Sequence, residues 1–266
     1  MNINIIRNHL TFAVFTFASF NGLAAPVAID TSTMSHETSD KLSFGIGVTR
    51  SKADRPFRGV DSQSASLPYI SLSYKQFYIE GLNVGFRLYN KENLSVQAIA
   101  SPRFWEVKSS FADEDELDGI EETKPTYFGG LLFQYKTDPA IFTLQALADI
   151  GGESDGIEVI ASASKPYSFN KLVLSPSVSI NWQSSDLVDH FYGVQSNEVI
   201  AKRPLFEGES TINYQASVSG IYQINDKWDI LGAIKYDLLG DDILDSPIIE
   251  EDQLASYALG ILYRFD

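Results

Sequence analysis

The 266-residue chain contains no cysteine. That absence removes disulfides, thiolate metal centres and cysteine nucleophiles together. Histidine is scarce, with only His9, His36 and His190. Basic residues are outnumbered: 20 Lys and Arg stand against 35 Asp and Glu, a formal net charge of −15. So acidic a chain lacks the positive surface that a nucleic-acid partner needs. Nor does net charge draw it to anionic lipid. After residue 24 no stretch approaches the ~20 apolar residues of a membrane helix. A membrane crossing in this region must therefore be made by strands.

At the front, "MNINIIRNH" carries Arg7, the apolar run Leu10 to Phe20 follows, and Gly22 and Ala24 in "NGLAAP" give a small-x-small pattern. This predicts a secretory signal peptide over 1–24, cleaved between Ala24 and Ala25. The apolar run is too short to cross ~30 Å of hydrocarbon as a helix. Cleavage removes Arg7 and no acid, leaving 19 basic against 35 acidic residues, a charge of −16. Residues 25–40, "APVAIDTSTMSHETSD", lack periodicity and read as a flexible periplasmic leader. Residues 41–266 remain as one unit, a length that suits a single all-β barrel.

What the chain has in abundance is alternation. "SYALGILYRFD" at the C-terminus places Tyr257, Leu259, Ile261, Tyr263 and Phe265 at every second position. "TINYQASVSGIYQI" sets Ile212, Tyr214, Ala216, Val218, Tyr222 and Ile224 against Asn213, Gln215, Ser217, Ser219 and Gln223. The same period of two runs through "WDILGAIKYDLL", "LVLSPSVSINW" and "KLSFGIGVTR". Each is a strand with two unlike faces.

A soluble sandwich would also alternate. Three features favour lipid on the apolar side. The polar faces are rows of Ser, Thr, Asn, Gln and Gly, as a hydrated lumen would carry. Aromatics recur near strand ends on the apolar faces (Tyr74, Tyr135, Trp182, Tyr214, Trp228, Tyr236, Tyr263, Phe265), as in an interfacial girdle. Connections alternate in length: short ones at 90–93, 137–139, 170–171 and 225–227, long ones at 51–65, 105–125, 184–209 and 240–252, with a shorter one at 151–155. The expected fold is an all-β, transmembrane antiparallel β-barrel of about 12 strands, with 10 as the alternative, bearing short periplasmic turns and long acidic extracellular loops. Residues 66–90 are read either as one long strand plus a short one or as three short strands.

The residues also resemble the MipA/OmpV family of outer-membrane proteins (MltA-interacting protein and its relatives). "DHFYGVQSNEV" (189–199), "LLGDDILDSPIIEEDQ" (238–253), "GILYRF" (260–265) and "LPYISLSYKQFYIEG" (67–81) carry the likeness, which spans essentially the whole exported chain. The resemblance implies the outer membrane as location. It also implies a non-enzymatic scaffold for peptidoglycan (murein) synthesis and remodelling, with a murein transglycosylase and a murein synthase as partners. In outer-membrane barrels generally, a closing strand such as Tyr257, Leu259, Ile261, Tyr263 and Phe265 is read by the barrel-insertion machinery. Here Asp266 follows the terminal aromatic. Membrane lipid and lipopolysaccharide complete the expected partners.

Two other functions fit the residues. A small ion or solute pore would use the inward polar rows. Among these, Arg87, Arg103, Asp229, Lys235 and Asp237 are expected to point inward and to pair across a narrow lumen. A rim hydrolase would use His190, which has Asp186 and Asp189 close in sequence, but no motif supplies a nucleophile. The acidic loops hold Glu106, Asp113 to Glu116, Asp118, Glu121 and Glu122 in one, and Asp241, Asp242, Asp245, Glu250, Glu251 and Asp252 in the other. Read from Asp113 or from Glu114, neither register completes an EF-hand loop. The expectation is therefore no cofactor, with loose Ca²⁺ or Mg²⁺ bridging to lipopolysaccharide as the only metal role.

Overall fold

The computed structural model describes residues 41–104, 107, 112 and 117–265. The predicted signal peptide, its expected junction at Ala24 and Ala25, and the predicted leader over 25–40 lie outside the described residues, as do Glu106, Asp113 to Glu116 and Asp266.

Thirteen strand segments form one antiparallel sheet that closes on itself. They are β1 (Ser43–Ala53), β2 (Gln63–Tyr74), β3 (Phe77–Gly81), β4 (Asn83–Lys91), β5 (Leu94–Arg103), β6 (Thr126–Lys136), β7 (Ile141–Asp149), β8 (Ile157–Ser164), β9 (Tyr167–Phe169), β10 (Leu172–Gln183), β11 (Thr211–Gln223), β12 (Trp228–Leu238) and β13 (Gln253–Arg264). β8 and β9 pair with successive parts of β10 and count as one interrupted strand, so the barrel has 12. Closure comes from β13 on β1, in a register running from Gly45↔Arg264 to Ala53↔Ser256. Every strand then has two neighbours, which a sheet in hydrocarbon requires.

Alternation becomes geometry directly. Ile46, Val48, Ile180, Tyr214, Ile234, Tyr257 and Leu259 are exposed on the outer face, while Thr49, Asn181, Gln215, Lys235 and Ser256 are buried within. The predicted girdle aromatics Tyr74, Tyr135, Trp182, Tyr214, Trp228, Tyr236 and Phe265 are all exposed. Trp228, Tyr263 and Phe265 stack edge to face at one end, with centroids 4.9 Å apart in each pair.

Lys75-Gln76, Glu92-Asn93, 137–140, Asn170-Lys171 and 224–227 turn at one end, and Lys75, Glu92 and Asn170 take the left-handed conformation. The long connections 54–62, 104–125, 184–210 and 239–252, with 150–156, gather at the other end. In outer-membrane barrels the short turns face the periplasm.

Two details depart from expectation. Residues 66–90 hold three strands, as the second reading of that stretch has it, but they are unequal: most of the twelve-residue β2, then β3 of five residues and β4 of nine. The long loops also contain short helices, α1 (Ser185–Tyr192) and α2 (Asp241–Leu244). The interruption between β8 and β9 has a plain cause. Pro176 of β10 has no N–H to complete the ladder there, and its carbonyl accepts from the Lys165 N–H at 3.1 Å instead.

Candidate functional site

The lumen is the first place a barrel can act. Arg87, Arg103, Asp229, Lys235 and Asp237 all lie buried inside, as predicted. Arg103 Nη2 of β5 reaches Glu158 Oε2 of β8, past the two strands between them, at 2.9 Å, and Asn181 Nδ2 donates to Glu158 Oε1 at 2.9 Å. Lys235 pairs with Asp237 at 2.8 Å, and Gln215 Nε2 donates to the same carboxylate at 2.8 Å. Arg264 meets Asp229 at 3.1 Å. The Arg87 guanidinium lies 4.6 Å from the Tyr78 ring centroid and donates to the Lys75 carbonyl at 3.3 Å. Tyr78 in turn donates to Gln97 Oε1 at 2.5 Å, and the Tyr69 hydroxyl donates to Glu80. A charge removed from water needs such partners to remain ionised. Apart from Arg103 with Glu158 and Tyr78 with Gln97, these side chains pair along one strand or with the adjacent strand, so the expected pairing across the lumen gives way to pairing along the wall.

Sequence reading did not foresee how apolar parts of the interior are. Tyr69, Ile221, Leu231 and Leu262 project inward and pack as one buried cluster. At the long-loop end a larger core spans the mouth. It joins Phe57 of the first loop, Leu187, Val188, Phe191 and Tyr192 of α1, Ile243 of α2, and Ile248 and Ile249 to the inward strand residues Phe128, Leu147 and Leu254. Helix α1 forms because Leu187, Val188, Phe191 and Tyr192 fall on one side at helical spacing, with Asp186 in its first turn.

Hydrogen bonds stitch this roof together. Arg58 Nε donates to the Pro247 carbonyl at 2.8 Å, and the Glu250 N–H donates to the Pro56 carbonyl at 2.8 Å. The Ser246 hydroxyl donates to the Tyr192 carbonyl at 2.6 Å. Glu198 accepts from the Glu121 and Gln195 N–H groups at 2.6 and 2.7 Å, and Arg203 donates to the Asp118 carbonyl at 2.7 Å. Of the predicted acidic residues, Asp118, Glu121 and Glu250 thus connect loops through their backbone groups.

A cavity of 480 Å³ opens among these loops. Asp186, Asp189 and His190 line it together with Glu121, Glu122, Glu153 and Asp155. The predicted neighbours of His190 do converge, but not as a catalytic set. Asp189 accepts from the Gly208 N–H at 2.9 Å and from Gln195 Nε2 at 3.3 Å, and His190 Nε2 is buried without a hydrogen-bond partner. His190 stands edge-on to Phe191, its centroid 4.6 Å away. Burial pushes its pKa below the usual imidazole value, against the pull of Asp149, Glu153, Asp189 and Glu121. Asp241, Asp242, Asp245 and Glu250 do not line the cavity. Among the described residues no three His, Asp or Glu side chains converge in a way that could hold a metal.

The family described as "MltA-interacting protein MipA" matches residues 44–265, from β1 to the end of the barrel. The chain belongs to this family. It is 26% identical over 247 residues to the MltA-interacting protein of Escherichia coli (strain K12), covering 91% of this chain and 98% of that protein. It is 25% identical over 151 residues to outer membrane protein OmpV of Vibrio cholerae, covering 57% and 59% respectively. Among solved structures, the translocator domain of the autotransporter NalP from Neisseria meningitidis superposes with a TM-score of 0.43 at 12% identity, covering 88% of this chain and 92% of that one. The relatives carry the names of interaction or outer-membrane proteins, and the barrel is an outer-membrane protein of the MipA family.

Proposed function

We propose that the barrel is a non-enzymatic, non-conducting platform that holds murein-synthesising and murein-remodelling enzymes at the outer membrane. The observation that carries this reading is the apolar roof, in which four loops and three strands pack into one buried core across the mouth. With the inward charges also paired, the surfaces and chain ends are left as the working parts. Membership of a family named for an interaction adds support. The alternative, a small pore, draws its support from the polar inward rows. It requires the roof to move aside.

Docking is assigned to residues 25–40 and the short turns at the periplasmic end. The row Tyr257, Leu259, Ile261, Tyr263 and Phe265 is assigned to recognition by the insertion machinery. The test is crosslinking in intact cells from single cysteines at positions 27–38, which the cysteine-free chain makes unambiguous. Recovery of a murein transglycosylase or synthase is the expected result. Capture of abundant bystanders alone, together with steady current through the purified barrel in a planar bilayer, would replace the platform with the pore.

A further inference from the structure

The barrel wall is not equally tall all round. β3 stops at Gly81, paired with Ile70, and the last pair between β4 and β5 is Val84↔Ala100. Above the short β3–β4 hairpin, Gln63–Tyr69 of β2 and Ser101–Arg103 of β5 therefore have no strand partner on the facing side among the described residues. At roughly 3.4 Å per residue, the bare edge of β2 is on the order of 20 Å long. Each edge carries a proline, Pro68 and Pro102. Proline has no N–H to leave unpaired, and within sheets it belongs at such edges.

Unpaired backbone cannot face hydrocarbon, so this gap must lie among headgroups or water. It is not a side door into the lumen, because Tyr69 and Arg103, which project inward beside it, are 0% and 2% exposed.

The outer face next to the gap has matching chemistry. Arg50 and Lys52 point outward from the upper part of β1, opposite Ser66 and Ser64 of β2. Among the described residues they are the only cations on outward strand positions in the long-loop half, and neither has an ion-pair partner. Three strands round the sheet, Ile212 and Tyr214 of β11 stand exposed at the second and fourth positions from the long-loop end, the places that Lys52 and Arg50 hold on β1. A cation on a lipid-facing position is disfavoured unless it lies at headgroup depth. Two independent features, a missing stretch of wall and an unpaired cation pair, thus lower the polar boundary on the same side. In a chain of net charge −15, a local cation pair with two hydroxyls calls for an anion.

We propose that Arg50, Lys52, Ser64 and Ser66 form a binding site for the phosphate-bearing headgroup of an outer-leaflet lipid, seated in the gap above the β3–β4 hairpin. The site does not depend on the platform function.

The test uses the refolded barrel in detergent and native mass spectrometry. The probes are bis-phosphorylated lipid A and the same lipid with its phosphates removed. The wild-type chain should retain the phosphorylated lipid preferentially, on the order of tenfold. The double variant Arg50→Gln, Lys52→Gln should lose that preference, whereas the exchange Arg50→Lys, Lys52→Arg should keep it. Heat-modifiable gel migration confirms that each variant is folded. Excess inorganic phosphate should not displace the lipid. Equal retention of the two lipids, an undiminished preference in the Gln variant, or complete displacement by inorganic phosphate would each overturn the proposal.

Discussion

The wall at β10–β12 and the wall at β1–β4 follow the same alternating rule and reach different ends. On the first, apolar outward residues continue to the long-loop rim, with Trp182, Ile212, Tyr214, Tyr236 and Leu238 exposed. On the second, the outward row turns from Ile46 and Val48 to Arg50 and Lys52, and the wall itself drops at the short β3–β4 hairpin. The lesson is that a barrel's hydrophobic band is set strand by strand. Its height reports where each strand meets headgroups, and a cylinder of uniform height is not required.

The largest effect that would sharpen this contrast lies at Arg103, which ties the bare edge of β5 to the full wall through Glu158. Glu158→Ala leaves a buried guanidinium without its carboxylate and should lower stability by about 3–5 kcal/mol in urea titrations. A loss under about 1 kcal/mol would mean that the pair does not hold the low side.

Next in size is a paired substitution. Lysine in place of Tyr214 should cost about 1–3 kcal/mol, by the depth dependence of charge on a lipid-facing wall, while Ser66→Lys should cost almost nothing. Equal costs, measured by folding into lipid vesicles, would erase the difference between the walls.

A smaller effect concerns the roof. Burial depresses the His190 pKa in the folded protein. The stabilisation from neutral His190 is therefore fully present above the unfolded value of about 6.5 and is lost as pH falls below it. Limited proteolysis of the loops should accelerate at pH 5.5 relative to pH 7.5, and His190→Gln should flatten that dependence. A wild-type rate that does not change with pH would remove His190 from the account.

Smallest of all is Pro68→Val, expected to change stability by less than about 0.5 kcal/mol because no ladder partner awaits the restored N–H. A clear gain in stability would show that this edge is in fact paired.

Much of this was legible beforehand. Strands in lipid show their alternation openly because the outer face tolerates little but apolar side chains, so β10 to β13 could be read residue by residue. The inward charges were legible for the same reason. β3 was not. Its flanking turn, Lys75-Gln76, lacks the usual glycine or asparagine, and the inward Tyr78 is as bulky as the outward Phe77. The signal that could have been used is proline. Pro68, Pro102 and Pro176 interrupt otherwise clean strands, and each marks a place where a neighbouring strand is missing or broken. Helix α1 had a visible helical spacing in "SDLVDHFY" that was overshadowed by the strand pattern around it. The roof could not be read, because it depends on contacts such as Phe57 with Tyr192 and Arg58 with Pro247, far apart in the chain.

The most direct test places single cysteines at Ser66 and at Tyr214, each the fourth residue from the long-loop end of its strand. Both carry the same spin label in the barrel reconstituted in lipid. The two walls described above predict that the label at 66 is reached by a water-soluble nickel chelate, while the label at 214 is reached by oxygen from the hydrocarbon. Matching accessibility at the two positions would contradict a wall of unequal height.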